Sequence, residues 1–214
     1  MSVPVAPAVP VGRRQEWWSA DPYTRALRTG RGPLFLHRSD GWLLPLDVER
    51  WCARPDAADL TVLDRCRGAV LDVGCGPGRL VASLAERGRL ALGVDVSAEA
   101  VRRTREAGGS ALVRSVFEAL PREGRWRTAL LMDGNIGIGG DPAALLTRMA
   151  AVVDPAGALI VETAPPGTDD DLDERVRVRL DDGAGLRGDA LPLVTGGAAG
   201  PRPARRPGGL DGHR

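Results

Sequence analysis

The 214-residue chain predicts an α/β fold built on a doubly wound, mostly parallel sheet, and three observations carry that prediction. Ala69–Val73 is a short run of β-formers interrupted only by Asp72; Gly74, Gly76 and Gly78 follow, then Leu80, Val81, Leu84 and Ala85 at helical spacing. Buried strand, glycine turn and helix is the opening of an α/β nucleotide-binding unit. Leu90–Val96 repeats the buried-strand pattern and also closes on a carboxylate, Asp95. Further apolar runs at Ala111–Val116, Thr128–Asp133 and Ala158–Glu162 alternate with helical periodicities, the order that yields parallel strands joined by helices.

The glycine spacing narrows the ligand. A dinucleotide fingerprint has a glycine three places after its second one; Arg79 stands there, and the pattern is G-x-G-x-G. A phosphate-binding loop of the Walker type needs a lysine, and this chain contains none. Without Cβ atoms, the glycines let the backbone turn sharply and lie against a ligand, while amides at the helix start point towards it. Asp72 is costly to bury at a strand end unless a cation or donors meet it, and an ammonium group would be both. Asp95 lies where α/β folds place an acid that accepts hydrogen bonds from ribose hydroxyls. The ligand reads as a nucleoside carrying an amine and no pyrophosphate.

Asp72-Val73-Gly74-Cys75-Gly76-Pro77-Gly78 followed by Gly93-Val94-Asp95-Val96-Ser97 resembles the class I S-adenosylmethionine-dependent methyltransferases, over roughly Ala69 to Glu162. The resemblance implies a Rossmann-like core with S-adenosyl-L-methionine as cofactor. It implies that the glycine loop lines the methionine half and that the acid after the second strand holds the ribose. On that basis the cofactor-binding residues are Asp72, Gly74, Cys75, Gly76, Gly78, Asp95 and Val96. In the family an acid after the third strand often binds the adenine amine; Val116 or Phe117 stands at that place, with Glu118 just beyond. Phe117 is a candidate to stack on the purine. The other reading of these residues is a glycine turn in an α/β protein without such a cofactor.

Composition sets bounds. The hydrophobic fraction is 43% and the net charge +1, with no excess pointing to nucleic acid or a membrane surface. The three cysteines, Cys52, Cys66 and Cys75, are too scattered for a disulfide framework or a zinc site. No metal is expected, and a reduced cytoplasmic setting is. No apolar run approaches the ~20 residues of a membrane span, and the prolines of Met1–Gly12 with Arg13-Arg14 after them do not make a signal peptide.

In chain order, residues 1–14 are expected to be a disordered tail and 15–67 a cap of helices and a hairpin. Residues 68–195 are expected to form the cofactor-binding domain and 196–214 a second disordered tail. Gln15–Leu27 reads as helical, with Asp21-Pro22 as a break or new start and Gly30 as its stop. In many members of the resembled family a helix before the core closes over the cofactor, which makes Tyr23 and Arg25 candidate contacts. Ser39-Asp40-Gly41 between Leu34–Arg38 and Trp42–Leu44 signals a β-hairpin, read as a lid, a wall of the acceptor pocket or a cover for a sheet edge. Asp47–Cys52 and Ala57–Cys66 read as helices, the second burying Leu60, Val62 and Leu63, with Gly68 as a left-handed stop. Trp42 and Trp51 are expected to pack together as a small satellite core, the alternative being that they stack on a planar acceptor.

Ser97 is the expected N-cap of the next helix, with Glu99 near its positive end, and Asp141-Pro142 opens a later one. Ligands of open α/β sheets bind beyond the carboxyl ends of the strands. The glycine-rich stretch after the fourth strand should therefore border the methyl group, with Asp133 and Asn135 as its polar residues. Asp154-Pro155-Ala156-Gly157 reads as a turn into the fifth strand. Beyond Thr163 one alternating strand, Val176–Leu180, stands out, and Leu191-Pro192-Leu193 gives way to Gly, Ala, Pro and Arg. The C-terminal strands of the sheet are thus expected to be incomplete, with the closing residues a truncated or frameshifted remnant.

Methyl transfer from a sulfonium is an in-line displacement that chiefly requires alignment. An alcohol or phenol acceptor would add a base, for which Asp133, His37 and Tyr23 are the candidates. Cys75, with no histidine beside it, reads as a turn residue and not a nucleophile. The expected function is methyl transfer to a small-molecule acceptor. The alternatives are an inactive or truncated protein that binds the same cofactor, and a nicotinamide oxidoreductase, which the glycine spacing disfavours.

Overall fold

All four residues of β3 (Val70–Val73) are buried, as a central strand covered on both faces must be. The computed structural model describes residues 21–163 and 174–195. In it β3 is the middle of a five-stranded sheet in the order β5-β4-β3-β6-β7, with β4 Ala91–Asp95, β5 Ala111–Val113, β6 Trp126–Leu131 and β7 Val153–Val161. Every pairing in it is parallel. Strand alternation divides the core between two faces. Leu71, Val73, Ala129 and Leu131 pack with Leu145, Met149 and Val152 of α6 (Pro142–Val152). Val70 and Leu130 pack instead with Leu63 of α3 (Ala57–Arg65), Leu80, Val81 and Leu84 of α4 (Arg79–Glu86), and Val101 of α5 (Ala98–Glu106). Helices on both faces make the sheet doubly wound, as the sequence predicts.

The local punctuation falls where the chemistry asks for it. Ser97 caps α5 by accepting from the Ala100 amide, and Asp141 caps α6 with Pro142 at its first turn. Gly68 is left-handed, at φ +55. Asp154–Gly157 lies inside β7, where the register jumps from Trp126↔Val153 to Thr128↔Ala158. The expected turn survives as an irregularity of the ladder, with the Asp154 carboxylate accepting from the Ala156 amide.

A second sheet holds the additions. The hairpin of β1 (Phe35–Arg38) and β2 (Leu43–Pro45) forms around Asp40-Gly41, and β1 pairs with β8 (Glu174–Asp181), which pairs in turn with β9 (Leu191–Thr195). The order is β2-β1-β8-β9, antiparallel throughout. Leu191-Pro192-Leu193 lies in strand β9, which ends at Thr195, the last residue of the expected domain; Pro192 is tolerated because β9 is the edge of the sheet among the described residues. These strands do not extend the parallel sheet. They enclose a third core with α1 (Asp21–Thr29): Tyr23, Ala26 and Leu27 meet Leu36, Val178, Leu180 and Leu191, together with Val48 of α2 (Val48–Cys52) and Ala100 of α5. Residues 15–20 of the expected first helix, and both expected tails, lie outside the described residues.

Two further expectations are corrected. In α3 it is Asp59 and Leu63, one turn apart, that face inwards, while Leu60 is 39% exposed; an arginine from α4 meets Asp59 and makes its burial tolerable. Trp51 meets the Tyr23 ring edge-on at 6.3 Å, while Arg38 lies over Trp42, so each tryptophan has a partner other than the one expected. Among the described residues no helix is long and apolar enough to cross a membrane.

Candidate active site

The glycine loop leaves β3 and folds back on β4, with the Gly74 and Cys75 amides both donating to the Val94 carbonyl. Gly74, Gly76 and Gly78 are all left-handed, at φ +72, +54 and +86, where a side chain is strained. Their surroundings differ. A Cβ on Gly74 would stand 2.6 Å from the Asn135 amide and one on Gly78 2.4 Å from Thr104, whereas one on Gly76 would meet only the Tyr23 hydroxyl, at 3.6 Å. Two of the glycines let other residues close on the loop. At the third, a Cβ would come only into van der Waals contact with Tyr23, so its φ and not crowding favours glycine.

Asp95, at the end of β4, is turned back onto this loop. Its Oδ2 accepts from the Gly76 amide at 2.9 Å and its Oδ1 from the Ser97 amide at 2.8 Å. A carboxylate has about four lone-pair sites, so two remain for a ligand. Burial pushes its carboxyl up to about 6, against the pull of the Ser97, Gly76 and Val96 amides. Asp72 is 3% exposed and makes no hydrogen bond with any described residue. Burial pushes it up to about 7; the Arg79 guanidinium opposes this, and the carboxylates of Asp133, Asp95 and Asp59 add to it. A buried carboxylate without donors is a costly arrangement that an ammonium group would relieve.

Beyond β6 the chain makes a tight reversal through two left-handed residues, Asp133 at φ +54 and Gly134 at +79, and then a 3-10 segment, Asn135–Gly140. The Asn135 side-chain amide donates to the carbonyls of Val73 at 2.9 Å and Gly74 at 3.0 Å. Asp133 accepts from Arg79 at 2.7 and 3.2 Å and from Arg50, and its own amide donates to Glu162. Arg79 also grips Asp59 through Nε at 2.8 Å and Nη2 at 2.9 Å. Burial works against the charge on Arg79, but its hydrogen bonds to the two carboxylates outweigh it and move its pKa up. Arg50 completes the cluster, donating to Asp56 at 3.0 Å and Asp59 at 3.3 Å.

Of the residues singled out in the sequence, Asp72, Gly74, Cys75, Gly76, Gly78, Asp95, Asp133 and Asn135 come together at the carboxyl ends of β3, β4 and β6, and Val96 follows Asp95, half-buried. Tyr23 arrives from α1; burial first, then the nearby Asp95 and Cys75, moves its phenol well up. Burial does the same to the Cys75 thiol, which faces Thr104, in keeping with a turn residue. Val116 is buried, its carbonyl accepting from Arg148, and the half-buried Phe117 ring lies against Gly139 of the 3-10 segment. His37 belongs to the antiparallel sheet, with Nδ1 3.4 Å from Asp181. Arg25 is paired with Asp182 at 3.2 Å. Sequence reasoning missed Asp59, Arg50 and Thr104, and met Arg79 only as the residue that breaks a glycine pattern. Arg79's position directly after the loop was the one available signal.

Residues 70–157 match a family model described as a methyltransferase domain. Among solved structures, the chain is similar to a SAM-dependent methyltransferase from Bacteroides fragilis in complex with S-adenosyl-L-homocysteine. The TM-score is 0.67 and the identity 17%, over 85% of this chain and 81% of that one. It also matches Streptomyces venezuelae DesVI, at 17% identity over 66% of this chain and 78% of that one, TM-score 0.48. A chain solved in work on the conversion of a disulfide bond into a thioacetal group during echinomycin biosynthesis matches at 24% identity, over 55% and 52% of the two chains, TM-score 0.47. At these identities the likeness is one of fold.

Proposed function

We propose that this chain, which carries a methyltransferase domain of the class I, S-adenosylmethionine-dependent fold, transfers a methyl group to a small-molecule acceptor by in-line displacement. Two features of the crevice fit the cofactor. Asp72 is a buried carboxylate with no hydrogen bond from any described residue, suited to an ammonium group, and Asp95 is fixed by two backbone amides with lone pairs left for vicinal hydroxyls. Between them the Gly76 backbone has no side chain of its own and faces the Tyr23 hydroxyl. When bound, the cofactor supplies a methyl group activated by a sulfonium.

The residues of the chain supply alignment and shelter. Asp72 and Asp95 would anchor the two ends of the cofactor, Gly74, Cys75, Gly76 and Gly78 would line its middle, and Val96, Val116 and Phe117 would border the base. Tyr23, from α1, stands over Gly76 and would shelter the loop, and its raised pKa keeps the phenol protonated at neutral pH. Asp133 and Asn135 would border the acceptor. Both Asp133 oxygens accept from guanidinium groups, so it suits orienting an acceptor better than taking its proton. Fixing donor and nucleophile in line is the larger part of what such a transfer needs. A net charge of +1 is in keeping with a small acceptor instead of a polyanion.

The observation that carries the reading is the pair of buried acids, Asp72 ahead of the glycine loop and Asp95 tied to it. The test is incubation of the purified chain with methyl-labelled S-adenosylmethionine and a metabolite extract, followed by mass spectrometry. Label in a low-mass product supports the proposal. Cofactor bound with no label transferred favours the alternative, an inactive cofactor-binding protein.

A further inference from the structure

We infer that Arg79 is a positioning residue that ties the segment after β6 to the glycine loop, so that filling the cofactor crevice orders the acceptor-side stretch Asn135–Gly140. The inference rests on reading that crevice as the cofactor site. Arg79 follows Gly78 directly and is the first residue of α4, so its backbone moves with the end of the loop. Its guanidinium binds both oxygens of Asp133, at 2.7 and 3.2 Å. Two residues further on, Asn135 donates to the carbonyls of Val73 and Gly74, at the start of the loop. Residues 133–135 therefore hold the loop at both ends. The fit has no slack at its near end, since a Cβ on Gly74 would stand 2.6 Å from the Asn135 side chain.

The segment so tied packs Ile136 and Ile138 on the core but is irregular in its backbone. Asp133 is a non-glycine residue at φ +54, a conformation that persists when surrounding contacts impose it. The 3-10 segment is broken inside by Ile138 (φ −55, ψ 128) and Gly139 (φ +80). Stretches with so little regular hydrogen bonding open easily and take their order from outside ties. The tie also needs an arginine. One planar guanidinium here satisfies Asp59 through Nε and Nη2 and Asp133 through Nη1 and Nη2, whereas a lysine ammonium is a point donor without the fork that grips two carboxylates. Asp59 anchors the far side of Arg79 in α3, so the guanidinium cannot swing away from Asp133 without giving up its two bonds to a buried carboxylate.

The test is amide hydrogen exchange over residues 134–140 of the full chain, with and without S-adenosyl-L-homocysteine. In the unaltered chain the ligand is expected to slow exchange there at least about fivefold. Arg79→Lys is expected to cut that to less than about twofold, with ligand affinity by calorimetry within about threefold, because the tie and not the binding surface is lost. Asp133→Asn cuts the same tie from the other side and should give the same loss of protection. Val152→Ala destabilises the core where α6 meets the start of β7, away from the tie, and should keep the full protection. Retained protection in Arg79→Lys, or equal loss in Val152→Ala, would overturn the inference. Binding without protection in the unaltered chain would overturn it alone, whereas failure of that chain to bind would remove the cofactor reading and the inference with it.

Discussion

Asp72 offers a test in which stability and binding move in opposite directions. Burial raises its carboxyl from 3.8 to about 7, so the ionised form is disfavoured in the fold by about 4 kcal/mol, at about 1.4 kcal/mol per decade. The sign follows from linkage: the folded state holds the proton more tightly, so this cost is absent below the unfolded value of 3.8 and accrues as pH rises to about 7. A ligand ammonium needs the ionised form. With a free-protein value of about 7, the ionised fraction falls from about nine-tenths at pH 8 to about one-tenth at pH 6. The affinity for S-adenosyl-L-homocysteine should therefore drop about tenfold across that interval, and about twofold more because Asp95 sits at about 6. Asp72→Asn should weaken binding at pH 8 at least about tenfold, flatten the pH profile to the Asp95 part, and raise the stability of the free protein at pH 8 by up to about 4 kcal/mol. Calorimetric titration at pH 6, 7 and 8 with thermal melts at each pH gives both readings. A pH-independent affinity in the unaltered chain, or undiminished affinity in Asp72→Asn, would refute the placement of Asp72 against an ammonium.

Asp95→Ala should cost roughly 1.5–3 kcal/mol per lost charged hydrogen bond in cofactor binding, measured by calorimetry; unchanged affinity would take Asp95 out of the site. Gly78→Ala places a Cβ 2.4 Å from Thr104 at φ +86, and overpacking of that kind costs about 1–3 kcal/mol, read from denaturant melts. In α3, Leu63→Ala should destabilise by about 2–5 kcal/mol, while Leu60→Ala, at a surface position, should stay within about 0.5 kcal/mol; equal losses would contradict the helix orientation.

Part of the site was legible because its residues are close in sequence. The strand, the loop and α4 run without a break from Val70 to Glu86, and Asp95 closes the next strand, so a local pattern places all of them. The caps at Ser97 and Asp141 were legible for the same reason: a side chain bonding to an amide three residues on is a short-range event. The Arg79 cluster was not. Arg79 lies 20 residues from Asp59 and 54 from Asp133, and Arg50 lies 83 from Asp133, and nothing in the spacing of single charged residues says which will meet. The inward face of α3 turned on that cluster, since hydropathy favours Leu60 and the guanidiniums of Arg79 and Arg50 let Asp59 take the buried side.

By itself, then, the amino-acid order determined the parallel α/β core, the glycine bend and the two acids flanking it, because backbone sterics and strand periodicity act over a few residues. Folding in three dimensions decided what β1, β8 and β9 do, since strands far apart in the chain pair only once the domain has brought their edges together. It also decided that Asp133 is held by two arginines and that Tyr23 stands over Gly76. Those contacts depend on the meeting of distant charges and surfaces, whose energies exist only in the assembled core.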